Sequence, residues 1–202
     1  LDEKFLFRVT QQIQNNGNNS YNFYPYAQIV RNKKPPTLGF YILHEGFIGV
    51  FDQELKEEDY TDIEEKKYTG NFSSGWLGIT DKYWITAIVP EKNKNFKSEF
   101  IYDKNYRANF IQTDVIQSSP NQTISSEIRV FTAAKEVAVI DSYAKNQEIE
   151  KFDLTIDWGW FYFFTKPIFF VTDYFFKLTG NFGIAIVLIT ACIRLIFFPL
   201  AN

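Results

Sequence analysis

Residues 182–200, from Phe182-Gly183-Ile184 to Phe198-Pro199-Leu200, form the longest apolar run in the chain, and only Thr190 and Arg194 break it seriously. At about 1.5 Å of rise per residue, a helix of that length spans about 30 Å, the thickness of a bilayer's hydrocarbon core. The run is C-terminal, whereas a secretory leader is N-terminal. Residues 182–200 are therefore read as a transmembrane helix, and the rest of the chain is sorted by its distance from that segment.

The preceding stretch, 158–179, is almost wholly aromatic or aliphatic. Thr165 and Lys166 stand just before Pro167, which places Thr165 as an expected N-cap with proline in the first turn. From there Thr165, Lys166, Thr172, Asp173 and Lys177 fall within an arc of about 140° at helical pitch. Asp173 and Lys177 form an i,i+4 pair of the favourable orientation. The pattern fits a helix lying in the plane of the membrane interface, with Trp158, Trp160, Phe161, Phe164, Phe169, Phe170 and Phe176 as its anchors. The competing reading is a core helix of a water-soluble protein, which such a density of large rings suits less well.

Residues 1–133 read as short strands between turns. Phe5 to Ile13 alternates as a half-buried strand does, and Asn15-Asn16-Gly17-Asn18-Asn19 is a turn. Asn22 to Val30 is expected to be the return strand, with Pro25 at an edge or bulge. Lys33-Lys34-Pro35-Pro36 is a loop. Phe40 to Leu43 and Phe47 to Phe51 are apolar runs, and the charged segment Glu54 to Lys67 reads as a surface excursion. Trp76 to Ile79 and Tyr83 to Val89 flank a tight turn at Asp81-Lys82. Ser98 to Tyr102, Tyr106 to Ile116 and Thr123 to Phe131 continue the series. So many strands at this spacing predict a mainly β, antiparallel sandwich or barrel. In 134–157, Val137, Ile140, Ala144 and Glu148 lie near helical spacing, predicting a short amphipathic helix and a connector.

Composition narrows function. A net charge of −3 lacks the basic face of a nucleic-acid binder. Cys192 is the single cysteine and His44 the single histidine, so no disulfide framework, metal centre or cofactor is expected. His44 is read as a satisfied strand or turn residue. No methionine occurs, which fits a processed or internal piece of a longer protein.

Arg194 is the most informative single residue. A charge at the middle of a membrane helix costs about 2.5–3.5 kcal/mol on insertion scales, so such residues tend to face a protein interior or a wet cavity. Thr190, one turn back, projects from a similar face. Arg194 and Thr190 could line a hydrophilic site within the bilayer. Alternatively, Arg194 could snorkel to the far interface. Spacing alone serves both readings equally.

Three stretches resemble one family. Phe152-Asp153-Leu154-Thr155-Ile156-Asp157-Trp158-Gly159-Trp160-Phe161-Tyr162-Phe163, with Lys166-Pro167-Ile168, is similar to the segment before the core of the YidC/Oxa1/Alb3 membrane protein insertases. Gly180-Asn181-Phe182-Gly183, Ile193-Arg194 and Phe198-Pro199-Leu200 resemble the family's first core transmembrane helix. Gly75-Trp76-Leu77-Gly78-Ile79, Tyr83-Trp84 and Ile88-Val89-Pro90 resemble a motif in the large periplasmic domain of its Gram-negative, YidC-type members. The resemblance implies a periplasmic sandwich of galactose-mutarotase-like type lacking its N-terminal part, an interfacial helix, and Arg194 in a hydrophilic groove. It implies an insertase or chaperone of the bacterial inner membrane, not an enzyme. Its partners would be nascent membrane proteins, the phospholipid bilayer and the Sec translocon. It also implies that a first anchor precedes Leu1 and that further core helices follow Asn202. Two rival readings remain: a periplasmic docking or scaffold module for Sec components, and a carbohydrate-binding sandwich. The second would need paired carboxylates and histidine in one cleft.

Overall fold

The structure, a computed structural model, describes residues 5–36, 43–146, 149–159 and 161–198. The chain forms two units, residues 1–157 and 158–202. In chain order the first contains β1 (Leu6–Gln14), β2 (Tyr21–Phe23), β3 (Tyr26–Arg31), β4 (Gly46–Phe51), β5 (Glu54–Asp59), α1 (Tyr60–Glu65), β6 (Tyr68–Phe72), β7 (Gly75–Thr80), β8 (Trp84–Val89), β9 (Phe96–Asp103), β10 (Asn105–Gln112), β11 (Ile116–Ser118), β12 (Thr123–Ala134), α2 (Val137–Asn146) and a 3-10 turn at Phe152–Thr155. The second contains α3 (Tyr162–Thr179) and α4 (Phe182–Phe197).

The strands pair antiparallel, as expected from the sequence. A six-stranded sheet runs β1-β12-β8-β7-β4-β5, a four-stranded sheet runs β3-β10-β9-β6, and β11-β2 form a small ribbon. The six-stranded sheet is covered on both faces, which explains why β4 is apolar without alternation. Phe47 and Phe51 of β4 join Leu77, Ile88, Phe96, Phe100 and Phe110 in the core between the sheets, whereas Ile48 and Val50 join Trp76, Ile85, Phe131, Ile140, Tyr143 and Phe152 in a second core under α2. Opposite faces of one strand thus feed two cores, as the two-residue side-chain period requires.

Gly75 begins β7 with φ +128°, and a Cβ there would lie 1.8 Å from the Val50 carbonyl oxygen. Only glycine permits the strand to start so close to β4.

Several expectations are revised. The turn after β1 does not lead into its partner: β1 pairs with β12 and β3 with β10. Pro25 lacks an N–H and separates β2 from β3. The buried Asn15 side chain donates to the carbonyls of Asn19 (2.8 Å) and Ser118 (3.1 Å), tying the turn to the distant β11–β12 connection. Glu54–Lys67 is not a simple surface excursion. Its first half is β5, an edge strand whose charges discourage edge-to-edge pairing. Its second half is α1, which buries Tyr60 and Ile63. Tyr106 to Ile116 is divided into β10 and β11 rather than continuous. The predicted helix at 134–157 is α2, with Ile140 and Tyr143 buried. Glu148 and most of Phe40 to Leu43 lie outside the described residues.

Trp76 fastens the second core. It is fully buried, its ring meets Phe152 edge-on at 5.3 Å, and its Nε1–H donates to the Glu150 carbonyl at 2.9 Å. Trp76→Ala is expected to cost about 3–5 kcal/mol through the cavity and the lost packing. Urea unfolding of the chain in mild detergent, followed by far-ultraviolet circular dichroism, measures this.

Candidate membrane-interface site

The second unit inverts the usual arrangement of a water-soluble helix pair. On α3 the polar Lys166, Thr172, Asp173 and Thr179 are half-buried or nearly so, while Phe163, Phe164, Phe170 and Tyr174 are exposed. No residue of α3 is buried. On α4, Ile184, Val187, Leu195, Ile196 and Phe197 are likewise exposed, Leu195 to 74 %. Contiguous apolar surface of this kind on a soluble monomer is rarely larger than a few hundred Å², and here it runs along both helices.

The polar groups on these helices are satisfied locally. The hydroxyls of Thr172, Thr179 and Thr190 donate to the carbonyls of Ile168, Phe175 and Ile186 at 2.7, 2.8 and 2.7 Å. Thr165 donates to Trp158 and Phe161 at 2.9 and 3.3 Å. The Lys177 ammonium meets Asp173 at 2.6 Å. These groups therefore need little from solvent, a requirement in a poorly hydrated environment.

Thr165 is not the N-cap of α3. The helix begins at Tyr162, Phe161 occupies the cap position without a side-chain cap bond, and Pro167 lies inside the helix. The Thr165 hydroxyl donates to carbonyls rather than accepting from the first-turn amides. At the other end Gly180 adopts φ +65° and its N–H reaches the Phe176 carbonyl at 2.8 Å. Asn181 then caps α4, its Oδ1 accepting from Gly183 at 2.9 Å and Ile184 at 3.2 Å. Phe176 and Phe182 meet edge-on at 6.0 Å. Gly180-Asn181 thus stops one helix and starts the next.

The anchors named from sequence occupy different places. Phe161, Phe164, Phe169, Phe170 and Phe176 are all exposed. Trp158 is half-buried before α3, with Phe169 edge-on at 5.5 Å and the Lys166 ammonium 5.9 Å from its ring. Trp160 lies outside the described residues. At helical pitch Phe169 and Phe176 fall within the arc that runs from Thr165 and Thr172 to Lys166, Asp173 and Lys177, whereas Val171, Tyr174 and Leu178 lie opposite it and Phe170 sits at its edge beside Lys177. Tyr174 and Leu178, at 63 % and 69 % exposure, belong to the apolar flank although they are not among the anchors expected from ring content, and the wheel alone marks them. Arg194 and Thr190 are exposed on α4 one turn apart, and Arg194 makes no ion pair or hydrogen bond among the described residues. Thr190's hydroxyl is already engaged with its own helix.

α4 contains 16 residues, which corresponds to about 24 Å. No helix among the described residues is long and apolar enough to cross a membrane. Pro199 and Leu200, the end of the expected span, lie outside the described residues.

A two-sheet antiparallel sandwich leading into an apolar helix pair defines the class: a β module continued by two helices with exposed apolar flanks. The family model for the YidC periplasmic domain matches residues 1–171, and the chain belongs to that family. It is 55 % identical over 202 residues to the membrane protein insertase YidC of Pelagibacter ubique (strain HTCC1062), covering all of this chain and 36 % of that protein. It is 41 % identical to the YidC insertases of Sinorhizobium medicae (strain WSM419) and Mesorhizobium japonicum over 208 and 209 residues, all of this chain again and 35 % and 34 % of theirs. The chain therefore spans about a third of the length of these curated relatives.

Asn181→Ala is expected to cost about 0.5–2 kcal/mol at the start of α4. A lower helical signal and earlier thermal loss in detergent would register it, with Asn181→Asp retaining most of the wild-type stability.

Proposed function

We propose that this chain is the periplasmic sandwich, interfacial helix and first core helix of a bacterial inner-membrane insertase. The observation that carries the reading is α3: an 18-residue helix with no buried residue and an exposed aromatic flank. Such a helix lies in the membrane plane, rings in the headgroup–acyl boundary and the Asp173–Lys177 side toward water or protein. Residues 182–200 enter the bilayer, with the 16 residues of α4 as the greater part of the span. The family membership supports the same reading, because each of the three relatives named above is called an insertase.

The residues account for a mechanism. A client's short polar segment must cross a medium that penalises it. Arg194, whose guanidinium has no partner among the described residues, offers a counter-charge where the dielectric is low, and neighbouring polar groups supply partial solvation. Acidic client tails gain most. The client's apolar helix then moves sideways into lipid, and its burial drives the step. No covalent bond is made or broken. Nascent membrane proteins are the substrates, with the Sec translocon as a collaborating partner.

Two results are expected. Replacing Tyr174 and Leu178 together with serine weakens co-sedimentation with liposomes more than replacing Phe169 and Phe176. Equal effects of the two sets would contradict the in-plane orientation. In the full-length protein reconstituted into liposomes, Arg194→Ala abolishes insertion of a single-span client with an acidic tail, and Arg194→Lys retains it. Wild-type insertion by the alanine variant would return Arg194 to a snorkelling role.

A further inference from the structure

We propose that the β7–β8 turn, residues 81–84, is a second membrane contact, with Tyr83 and Trp84 entering the headgroup region of the bilayer. The proposal rests on the membrane reading of α3.

Tyr83 and Trp84 are 63 % and 61 % exposed, the most exposed aromatic residues described in the first unit. They stand side by side at a hairpin tip that the Asp81 N–H closes onto the Trp84 carbonyl at 2.8 Å. Tryptophan and tyrosine are the residue types that settle at headgroup depth, their rings amphipathic. The Lys82 ammonium lies 4.9 Å from the Tyr83 ring, a cation placed beside the rings at phosphate level. Asp81, the carboxylate of the turn, is neutralised by a two-pronged pairing with Arg31, whose guanidinium also donates to the Tyr60 hydroxyl at 2.8 Å.

The turn sits at the end of the unit from which the chain departs. Lys135 ties it there: its backbone N–H donates to the Tyr83 carbonyl at 2.8 Å and its ammonium to Thr80 Oγ1 at 3.1 Å. Burial pushes the Lys135 pKa down, and the carboxylates of Asp157, Asp81, Glu45 and Glu57 act against that shift. Asp157, the last residue of the unit, is therefore a close electrostatic neighbour of the residue that holds the turn. Only residues 158–161 separate it from α3. Whatever arrangement the two units adopt, that tether reaches at most about 18 Å. A surface occupied by α3 is within reach of the exit end and its two rings. The carboxylates around Lys135 balance the local cations, so the rings, rather than attraction to anionic lipid, supply the affinity.

The test places a single bimane label on the whole chain, in a Cys192→Ser background, in phosphatidylcholine vesicles with bromines high on the acyl chains. Labels go at Trp84→Cys, at Tyr174→Cys on α3, and at Tyr21→Cys. Tyr21 lies toward the opposite end of the sandwich, beyond the Gln14–Thr123 pair, whereas Trp84 pairs with Ala134. Along β12 those two ends are ~35 Å apart. Tyr83→Cys repeats the measurement one residue away should Trp84→Cys disturb the turn. The expected result is quenching at 84 comparable with that at 174 and several-fold greater than at 21. Quenching at 174, with 84 no more quenched than 21, overturns the proposal and leaves the membrane reading of α3 standing. Shielding of 84 from aqueous iodide without bromolipid quenching also overturns it, because protein then covers the turn. No quenching at 174 overturns the membrane reading and this proposal with it.

Discussion

The six-stranded sheet must be covered on both faces, and most of the first unit follows from that. β4, β7 and β8 alternate large side chains between two cores, so neither face can be left to solvent. The four-stranded sheet closes one side through Phe96, Phe100 and Phe110. The segment after β12 closes the other through Ile140, Tyr143 and Phe152, with Trp76 bonded to the Glu150 carbonyl. The same segment carries the chain toward its C-terminal helices. Packing it into a core fixes the point at which the chain leaves the sandwich toward α3.

The second unit suits a different solvent under the proposed reading. In water its exposed phenylalanines, tyrosines and leucines would drive association. At an interface the same surface is the favourable one, and the in-helix bonds of its threonines remove the need for water at those positions. The two units therefore meet opposite demands within one chain: a sandwich that hides aromatic rings and a helix pair that presents them. Gly180-Asn181 is the hinge of that second design, because a left-handed glycine and an asparagine cap turn the chain between two apolar helices without exposing amides.

Much of this was legible in the sequence. Period-two alternation located most strands, the aromatic density located α3, and the motifs around Trp76, Trp158 and Arg194 indicated the family. What escaped has physical causes. Strand partners are set by distant contacts, as when Asn15 ties β1's turn to residue 118, and local pattern does not carry them. α1 was hidden by the charges around Tyr60 and Ile63, since two buried side chains suffice to seat a short helix. The start of α3 was misplaced because Thr165 can donate to a carbonyl as readily as cap an amide. Among the anchors, ring size favours Phe169 and Phe176, although helical pitch sets Val171, Tyr174 and Leu178 on the flank away from the polar arc.

The central claim is that α3 lies in the plane of the bilayer surface. A nitroxide scan from Lys166 to Thr179 in vesicles, reading collisions with oxygen and with a water-soluble nickel complex, addresses it most directly. An in-plane helix gives two antiphase waves of helical period: oxygen accessibility peaks at 171, 174 and 178, and nickel accessibility at 169, 173 and 176. A steady gradient from one end to the other, or nickel access all round, would contradict the account.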